Sequence, residues 1–309
     1  MRLPIAAALA ALALAGCGGD GAESEDDTPA TLVVAIRTDG ALSTETFDVD
    51  GGRLEPGELD APRVYTRAGD KEPQEGISFE EVYLAQPGQE PKRLTSDRRF
   101  DHSAALLKDG RVAFVSCPLP AGTLLPNCRL DAIEPASGKR TTIAAGLGFV
   151  WNADLAPDEK RLLLTRITES AVPTGVSVRD LGTGKEQLLA EGAFGRWSPD
   201  GRRIAFVSDR DENGACVFHA CSGFANEVYV MGASGEDVRR LTTSSAQDAA
   251  ADWSGDGEWI VFGRIADQED DWDLWAVRAD GECETQLTDT ERWEIDAEWH
   301  GAGDGGLSC

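Results

Sequence analysis

The sequence of 309 residues predicts an all-β protein built from repeated units of four short antiparallel strands. Three observations support this fold class. A tight turn, Trp-Ser-Pro-Asp-Gly at residues 197–201, recurs as Trp-Ser-Gly-Asp-Gly at residues 253–257. Each turn precedes an apolar strand, a second strand rich in β-branched and aromatic residues, and a short closing strand that ends in Leu-Thr. The unit length of about 40 to 50 residues is typical of a propeller blade.

A β-propeller explains this repeat better than a β-helix does. One unit cannot bury both faces of its sheet, but radially stacked units cover one another and leave only short edges exposed. The rungs of a β-helix are much shorter than this repeat, and Asp-Gly turns between apolar strands are typical of antiparallel hairpins. We therefore predict a β-propeller of four-stranded antiparallel blades.

The two ends of the chain are predicted to close the ring. Residues 31–36 and 46–49 have the pattern of strands without an opening turn, and residues 295–299 have that of a first strand without its successors. In one shared sheet they would complete a ring of six blades, the number that we prefer. If residues 32–36 instead share a sheet with residues 81–84, the number is five.

The repeated motifs resemble the TolB-type propeller repeat, which has a W-S-P-D-G turn, an I-A-F-x-S-D-R strand, an E-I-Y-V-M strand and a closing R-x-L-T. The match is close over residues 196–242 and 251–288 and looser from about residue 57 to 190. The resemblance implies one TolB-like propeller over residues 31–309, in a protein of the bacterial cell envelope. The separate domain that precedes the propeller of TolB is not evident, which puts a role in the Tol system in doubt.

Residues 1–16 have the features of a lipoprotein signal peptide. A positive charge at Arg2 precedes an apolar run too short to span a bilayer, and Leu-Ala-Gly-Cys at residues 14–17 matches the bacterial lipobox. Cleavage would leave Cys17 as a lipidated first residue, and the Gly-rich acidic residues 17–30 would form a flexible tether. The sequence thus predicts a lipid-anchored extracytoplasmic protein, facing the periplasm or the cell surface. The alternative is an ordinary cleaved signal with an incidental cysteine.

The remaining six cysteines are expected to form disulfides, because an extracytoplasmic compartment is oxidising. Their spacing favours Cys117 with Cys128 and Cys216 with Cys221, each pair bracketing an insertion in a hairpin, and Cys283 with Cys309. The last pair would tie the chain end to the preceding blade. No Cys-x-x-Cys pair or matching histidines support metal binding by these cysteines.

The formal net charge of −26 at pH 7 restricts the partners. Such an acidic surface repels nucleic acid and anionic lipid headgroups, so we expect no nucleic-acid partner. It favours cationic partners or divalent ions. Solubility at a crowded surface is the default explanation for the charge.

Two acidic hairpins contain candidate contact residues. Asp209, Asp211 and Asn213 alternate as in the opening of a calcium-binding loop, but Ala220 stands where that loop needs a glutamate. The same sequence is typical of a hairpin turn, so we predict no cofactor here. A bound Ca²⁺ is the alternative. Trp272 is expected to be exposed in the second hairpin and to contact a partner. Four other tryptophans are expected to occupy equivalent positions and to pack between blades: Trp151, Trp197, Trp253 and Trp299.

The sequence contains no recognisable catalytic motif, such as H-E-x-x-H, G-x-S-x-G or a P-loop. It has three histidines, of which His102 is expected in a turn or at the surface, too few for the histidine-rich metal centre of some TolB-like lyases. We therefore predict a non-enzymatic scaffold that binds an envelope protein or peptide through loops at one end of the ring. The alternative is a metal-dependent glycan-binding protein or enzyme that uses the acidic loops.

Overall fold

The computed structural model describes residues 31–38, 41–50, 53–56, 62–68, 80–118, 126–168, 173–211, 227–244, 246–265, 272–290, 293–300 and 306–307. Every helix or strand assigned within these ranges is a strand. The described residues contain no helix long and apolar enough to cross a membrane. Residues 1–30 lie outside these ranges, so the signal peptide, the lipidated Cys17, the tether and the domain limits stay predictions.

Twenty-three strands are formed by the described residues. They are, in chain order, β1 Thr31–Thr38, β2 Ala41–Asp50, β3 Arg53–Pro56, β4 Arg63–Ala68, β5 Glu80–Ala85, β6 Lys92–Arg93, β7 Arg99–Leu106, β8 Val112–Pro118, β9 Arg129–Ile133, β10 Arg140–Ala144, β11 Val150–Leu155, β12 Arg161–Ile167, β13 Pro173–Asp180, β14 Glu186–Ala190, β15 Ala193–Trp197, β16 Arg203–Ser208, β17 Glu227–Gly232, β18 Arg239–Arg240, β19 Gln247–Trp253, β20 Trp259–Ile265, β21 Asp273–Arg278, β22 Glu284–Gln286 and β23 Trp293–His300.

Three sheets contain four strands each in simple chain order: β11 to β14, β15 to β18 and β19 to β22. Their neighbouring strands are antiparallel throughout. Strands β7 to β10 repeat this order, and a single parallel bridge between Glu80 and Phe100 joins them to β4, β5 and β6 in a seven-stranded sheet. The predicted all-β fold of four-stranded antiparallel units is confirmed.

Both ends of the chain meet in one sheet. Its strand order is β23-β1-β2-β3, and β23 pairs with β1 in the antiparallel sense from Thr31 opposite His300 to Arg37 opposite Trp293. Strands β1 and β5 lie in different sheets, so the arrangement under which we expected five blades is not observed. The number of blades stays a prediction, because the seven-stranded sheet extends over two repeat units.

Local chemistry explains why the Trp-Ser-Pro-Asp-Gly turn recurs. The hydroxyl of Ser198 donates to Asp200 with 2.6 Å between the oxygens, and it accepts the backbone N–H of Arg203 at 2.9 Å. Gly201 has a φ of +66°, a value that glycine adopts without steric cost. Ser254 accepts a backbone N–H in the same way at the next copy, again at 2.9 Å. The turn is therefore specified by residues within it.

The core lies in the seams between sheets. Trp197, Trp253 and Trp299, at the ends of first strands, are 5%, 3% and 2% exposed. The guanidinium of Arg161 from the preceding sheet lies 4.4 Å from the ring centre of Trp197, and that of Arg203 lies 4.8 Å from the ring centre of Trp253. These tryptophans pack between neighbouring sheets, as predicted.

Trp151 does not share their position, so that part of the prediction is wrong. Leu155 lies opposite Leu162 in its sheet, just as Trp197 lies opposite Ile204 in the next. Leu155 is therefore the equivalent of the repeated tryptophans, and Trp151 stands nearer the start of β11. Trp151 is buried all the same and packs edge-on against Phe194, with 4.9 Å between ring centres.

We expect Trp299→Ala to lower the free energy of unfolding by about 3 to 5 kcal/mol, because the indole is fully buried in the sheet that closes the ring. Leu188→Ala is the control, since this side chain on the outer strand β14 is 58% exposed. Its effect should stay within about 0.5 kcal/mol. Urea denaturation measures both. Equal losses in the two variants would contradict the packing of β23 described above.

Candidate functional site

The turns between first and second strands of successive sheets lie side by side at one end of the ring, which we call the turn end. Arg161 Nη2 donates to the carbonyl oxygen of Gly201 in the next sheet at 3.3 Å. Arg203, its counterpart, donates to the carbonyl oxygen of Gly257 at 2.7 Å. The residues that recur between copies thus connect each sheet to the next.

Connections between second and third strands leave from the opposite end of the ring, because neighbouring strands in each sheet are antiparallel. We call this the hairpin end. Residues 119–125, 212–226 and 266–271 of these connections lie outside the described residues. Most of the predicted site residues belong to these three connections or border them: Cys117, Cys128, Asp209, Asp211, Asn213, Cys216, Cys221 and Trp272.

A disulfide joins Cys117 to Cys128 at the hairpin end, as predicted. Both residues are buried, at the end of β8 and just before β9. The backbone N–H of Cys128 donates to Gly148 at 2.8 Å, and the N–H of Val150 lies 3.4 Å from the Cys128 sulfur. The disulfide therefore anchors this hairpin against the chain that enters the next sheet.

His102 is fully buried on β7, so the expectation of a turn or surface position is wrong. Its Nδ1 lies 2.9 Å from the Ser103 hydroxyl, and its Nε2 lies 3.6 Å from the sulfur of Cys117. Burial lowers the pKa of His102 to about 3, although a hydrogen bond to the backbone of Val150 opposes this shift. The imidazole is thus neutral in the folded protein at pH 7. The pairing of β7 with β8 shifts register between His102 and Ala105.

The other predicted disulfides stay predictions. Cys216 and Cys221 lie outside the described residues. Cys283 is disulfide-bonded, but Cys309 lies outside the described residues as well. Leu307 and Cys283 belong to the same hydrophobic cluster as Trp299, so Leu307 lies near Cys283. This proximity favours the predicted pair.

The candidate calcium ligand Asp211 is engaged by protein groups. Its Oδ2 lies 3.3 Å from Nη1 of Arg240 and also accepts the hydroxyl of Tyr229. Arg240 pairs in addition with the buried Glu227. Asp209 is exposed beside this group, and Asn213 lies outside the described residues. Among the described residues no three His, Cys, Asp or Glu side chains are placed to hold a metal ion.

Arg264 performs a similar structural role in the next sheet. It donates through Nε and Nη2 to the two oxygens of Asp248, at 2.6 and 2.9 Å, and through Nη1 to Glu284 at 2.6 Å. Burial raises the pKa of Asp248, and the hydrogen bonds from Arg264 oppose that shift. The sequence offers no signal for these pairs, because their members come from three different strands. They stiffen the sheets from which the hairpins extend.

Trp272 is 6% exposed, so the expectation of an exposed indole is wrong. Its backbone carbonyl accepts the N–H of Glu294 on β23 at 3.0 Å. This bond holds the start of β21 against the strand that closes the ring. The acidic residues beside Trp272 suggested a solvated loop, but the indole is buried in the folded protein.

Comparison with known proteins identifies the fold. TolB from Acinetobacter baumannii superposes with a TM-score of 0.62 over 87% of this chain and 66% of its own length, at 17% identity. A protein assigned as TolB from Agrobacterium tumefaciens superposes with a TM-score of 0.53 over 86% of this chain and 91% of its own, also at 17% identity. The fold is TolB-like. At this identity the likeness to TolB concerns the fold alone.

Sequence relatives of this TolB-like chain match it over short segments. An uncharacterised peptidase of Bacillus subtilis, YuxL, is 39% identical over 66 residues, which are 21% of this chain and 8% of YuxL. An uncharacterised protein of Agrobacterium fabrum, Atu1656, is 30% identical over 94 residues, which are 30% of this chain and 27% of that protein. The chain thus spans a small part of either relative. No protein-family model matches it.

The buried His102 predicts an acid-sensitive component of stability. Its pKa is about 3 in the folded protein and near 6.5 when solvated, so the stabilisation is present above pH 6.5 and is lost as the pH falls through 3. Between pH 7 and pH 4.5 the free energy of unfolding should fall less for His102→Asn than for wild type. The difference between the two falls should be on the order of 2 kcal/mol. Urea denaturation at both pH values measures this difference. Equal losses in the two proteins would show that the pKa of His102 is not lowered in the folded protein and would contradict this prediction.

Proposed function

We propose that this protein is an extracytoplasmic lipoprotein whose propeller binds an envelope protein or an extended peptide at the hairpin end. The lipobox ending in Cys17 supports the lipid anchor, and residues 17–30 have the composition of a flexible tether. The TolB-like fold supports an extracytoplasmic scaffold. The tether would let the propeller reach partners near the membrane surface.

The contrast between the two ends of the ring carries this proposal. At the turn end, equivalent residues of successive copies contact one another, as Arg203 contacts Gly257, and those residues are used in holding sheets together. At the hairpin end the copies differ in sequence and length. Binding residues are commonly found on loops that a rigid scaffold positions, and the Cys117–Cys128 disulfide provides such support.

The charge of the chain indicates the chemistry of the partner. The net charge of −26 favours a basic docking segment through long-range attraction. Exposed carboxylates occur at the hairpin end itself, where Asp209 follows β16 and Glu191 precedes β15. The backbone oxygen of Glu191 accepts the hydroxyl of Ser208 at 3.0 Å, which places these two connections side by side. A basic segment would meet both carboxylates together.

Charge reversal at each end of the ring tests the binding surface. We expect Asp209→Arg to reduce the capture of the partner by chemical crosslinking in intact envelopes several-fold, because a basic segment is then repelled. Glu258→Arg is the matched control, an exposed carboxylate in a turn at the turn end. Its capture should equal that of wild type. Equal capture by both variants, or a loss confined to Glu258→Arg, would contradict the proposed surface.

The lipid anchor is tested separately by Cys17→Ser. We expect this variant to lose incorporation of labelled fatty acid and to leave the membrane fraction, because the acyl chains supply the membrane affinity. Cell fractionation and metabolic labelling measure both results. A variant that stays labelled and membrane-bound would disprove lipidation at this cysteine without bearing on the hairpin end.

A further inference from the structure

Three charged residues occupy the same place in consecutive first strands. Asp154 on β11, Arg196 on β15 and Asp252 on β19 each immediately precede the last residue of their strand. They are 7%, 6% and 7% exposed. The equivalence follows from the pairing of the last residues, since Leu155 faces Leu162, Trp197 faces Ile204 and Trp253 faces Ile260. These side chains belong neither to the repeated turn nor to the hairpin end.

Both carboxylates connect one sheet to the next. Oδ2 of Asp154 accepts the backbone N–H of Trp197 at 2.6 Å, and Oδ2 of Asp252 accepts that of Trp299 at 2.9 Å. Strands β15 and β23 each have one edge without a partner in their own sheet, and these bonds provide acceptors for N–H groups of those strands. At the seam between them, the indole N–H of Trp253 donates to the carbonyl oxygen of Arg196 at 3.1 Å.

Arg196 stands between the two acidic positions and acts electrostatically on both. Burial raises the pKa of Asp154 to about 7, Arg196 and the amide of Trp197 oppose the shift, and Asp252 increases it. Burial also raises the pKa of Asp252, and Arg196 again opposes the shift. One guanidinium thus acts electrostatically on two buried carboxylates. One proton on the pair makes the group neutral.

The strands around this group add few other charges. The residues opposite Asp154 and Asp252 within their sheets are the apolar Leu163 and Val261. At the equivalent place β7 carries Ala105, and β23 carries Glu298, a further buried carboxylate. The charged residues at this place on β11, β15, β19 and β23 are therefore Asp154, Arg196, Asp252 and Glu298.

We propose that Asp154, Arg196 and Asp252 form a proton-sensitive latch that joins four consecutive sheets of the ring. With one proton bound, the group is neutral and the seams are tight. Loss of that proton leaves a net negative charge in a buried place, which weakens the seams on both sides of β15 and at β23. The latch concerns the integrity of the ring and does not rest on the proposed partner.

The direction of the pH effect follows from linkage. The pKa of Asp154 is about 7 in the folded protein against 3.8 when solvated, so the folded state holds the extra proton between these values. Its stabilisation is present below pH 3.8 and is lost as the pH rises through 7. The response is therefore opposite in sign to that of His102 and lies at higher pH.

Unfolding of the full-length chain at pH 6, 7 and 8 tests the latch. The equilibrium ratio of folded to unfolded protein should fall between pH 6 and pH 8. The fall should be about tenfold larger for wild type than for Asp154→Asn. The control Asp289→Asn, which removes an exposed carboxylate, should behave as wild type. Arg196→Gln should lose stability more steeply than wild type, because both carboxylates then lack their cation. Any other order of the three slopes overturns the latch.

Hydrogen exchange on the wild-type protein supplies a test that needs no variant. The amides of Trp197 and Trp299 donate to the latch carboxylates, so their protection factors should fall between pH 6 and 8. The amide of Val178, inside the sheet on β13, is the reference and should change less. A uniform change at all three amides would show global unfolding instead and would overturn the latch.

Discussion

Packing between neighbouring sheets is the constraint on which this structure depends, because one four-stranded sheet cannot bury both of its faces. Trp197, Trp253 and Trp299 fill the seams, and arginines of the preceding sheets cover two of these rings. An open row of stacked sheets would expose one apolar face of its first sheet and one of its last, and closing the row into a ring covers both. Pairing of β23 with β1 joins the two ends of the series, and this explains why the last of the described strands shares a sheet with the first.

The same constraint separates the two ends of the ring. At two seams of the turn end the same contact recurs, because Arg161 donates to the carbonyl oxygen of Gly201 and Arg203 donates to that of Gly257. At the hairpin end the sequence carries insertions, and the Cys117–Cys128 disulfide lies there. A propeller of this kind can vary the loops at this end without changing its core.

Short-range chemistry made part of the fold and site predictable. The turn at Ser198 and Gly201 depends on residues within it, and Cys117 and Cys128 bracket one hairpin. Expectations failed where burial depends on another element. His102 is buried on β7 just before a register shift, and Trp272 is buried where its backbone bonds to β23.

The sequence by itself determined the class of fold, the order of strands within a unit, the meeting of the two chain ends and the Cys117–Cys128 disulfide, because each depends on a local pattern or on its repetition. Only the tertiary structure decided which charges share an environment. Asp154, Arg196 and Asp252 are far apart in the sequence and come from three sheets. Their common burial, and hence the raised pKa of both carboxylates, arises when the sheets stack around the ring.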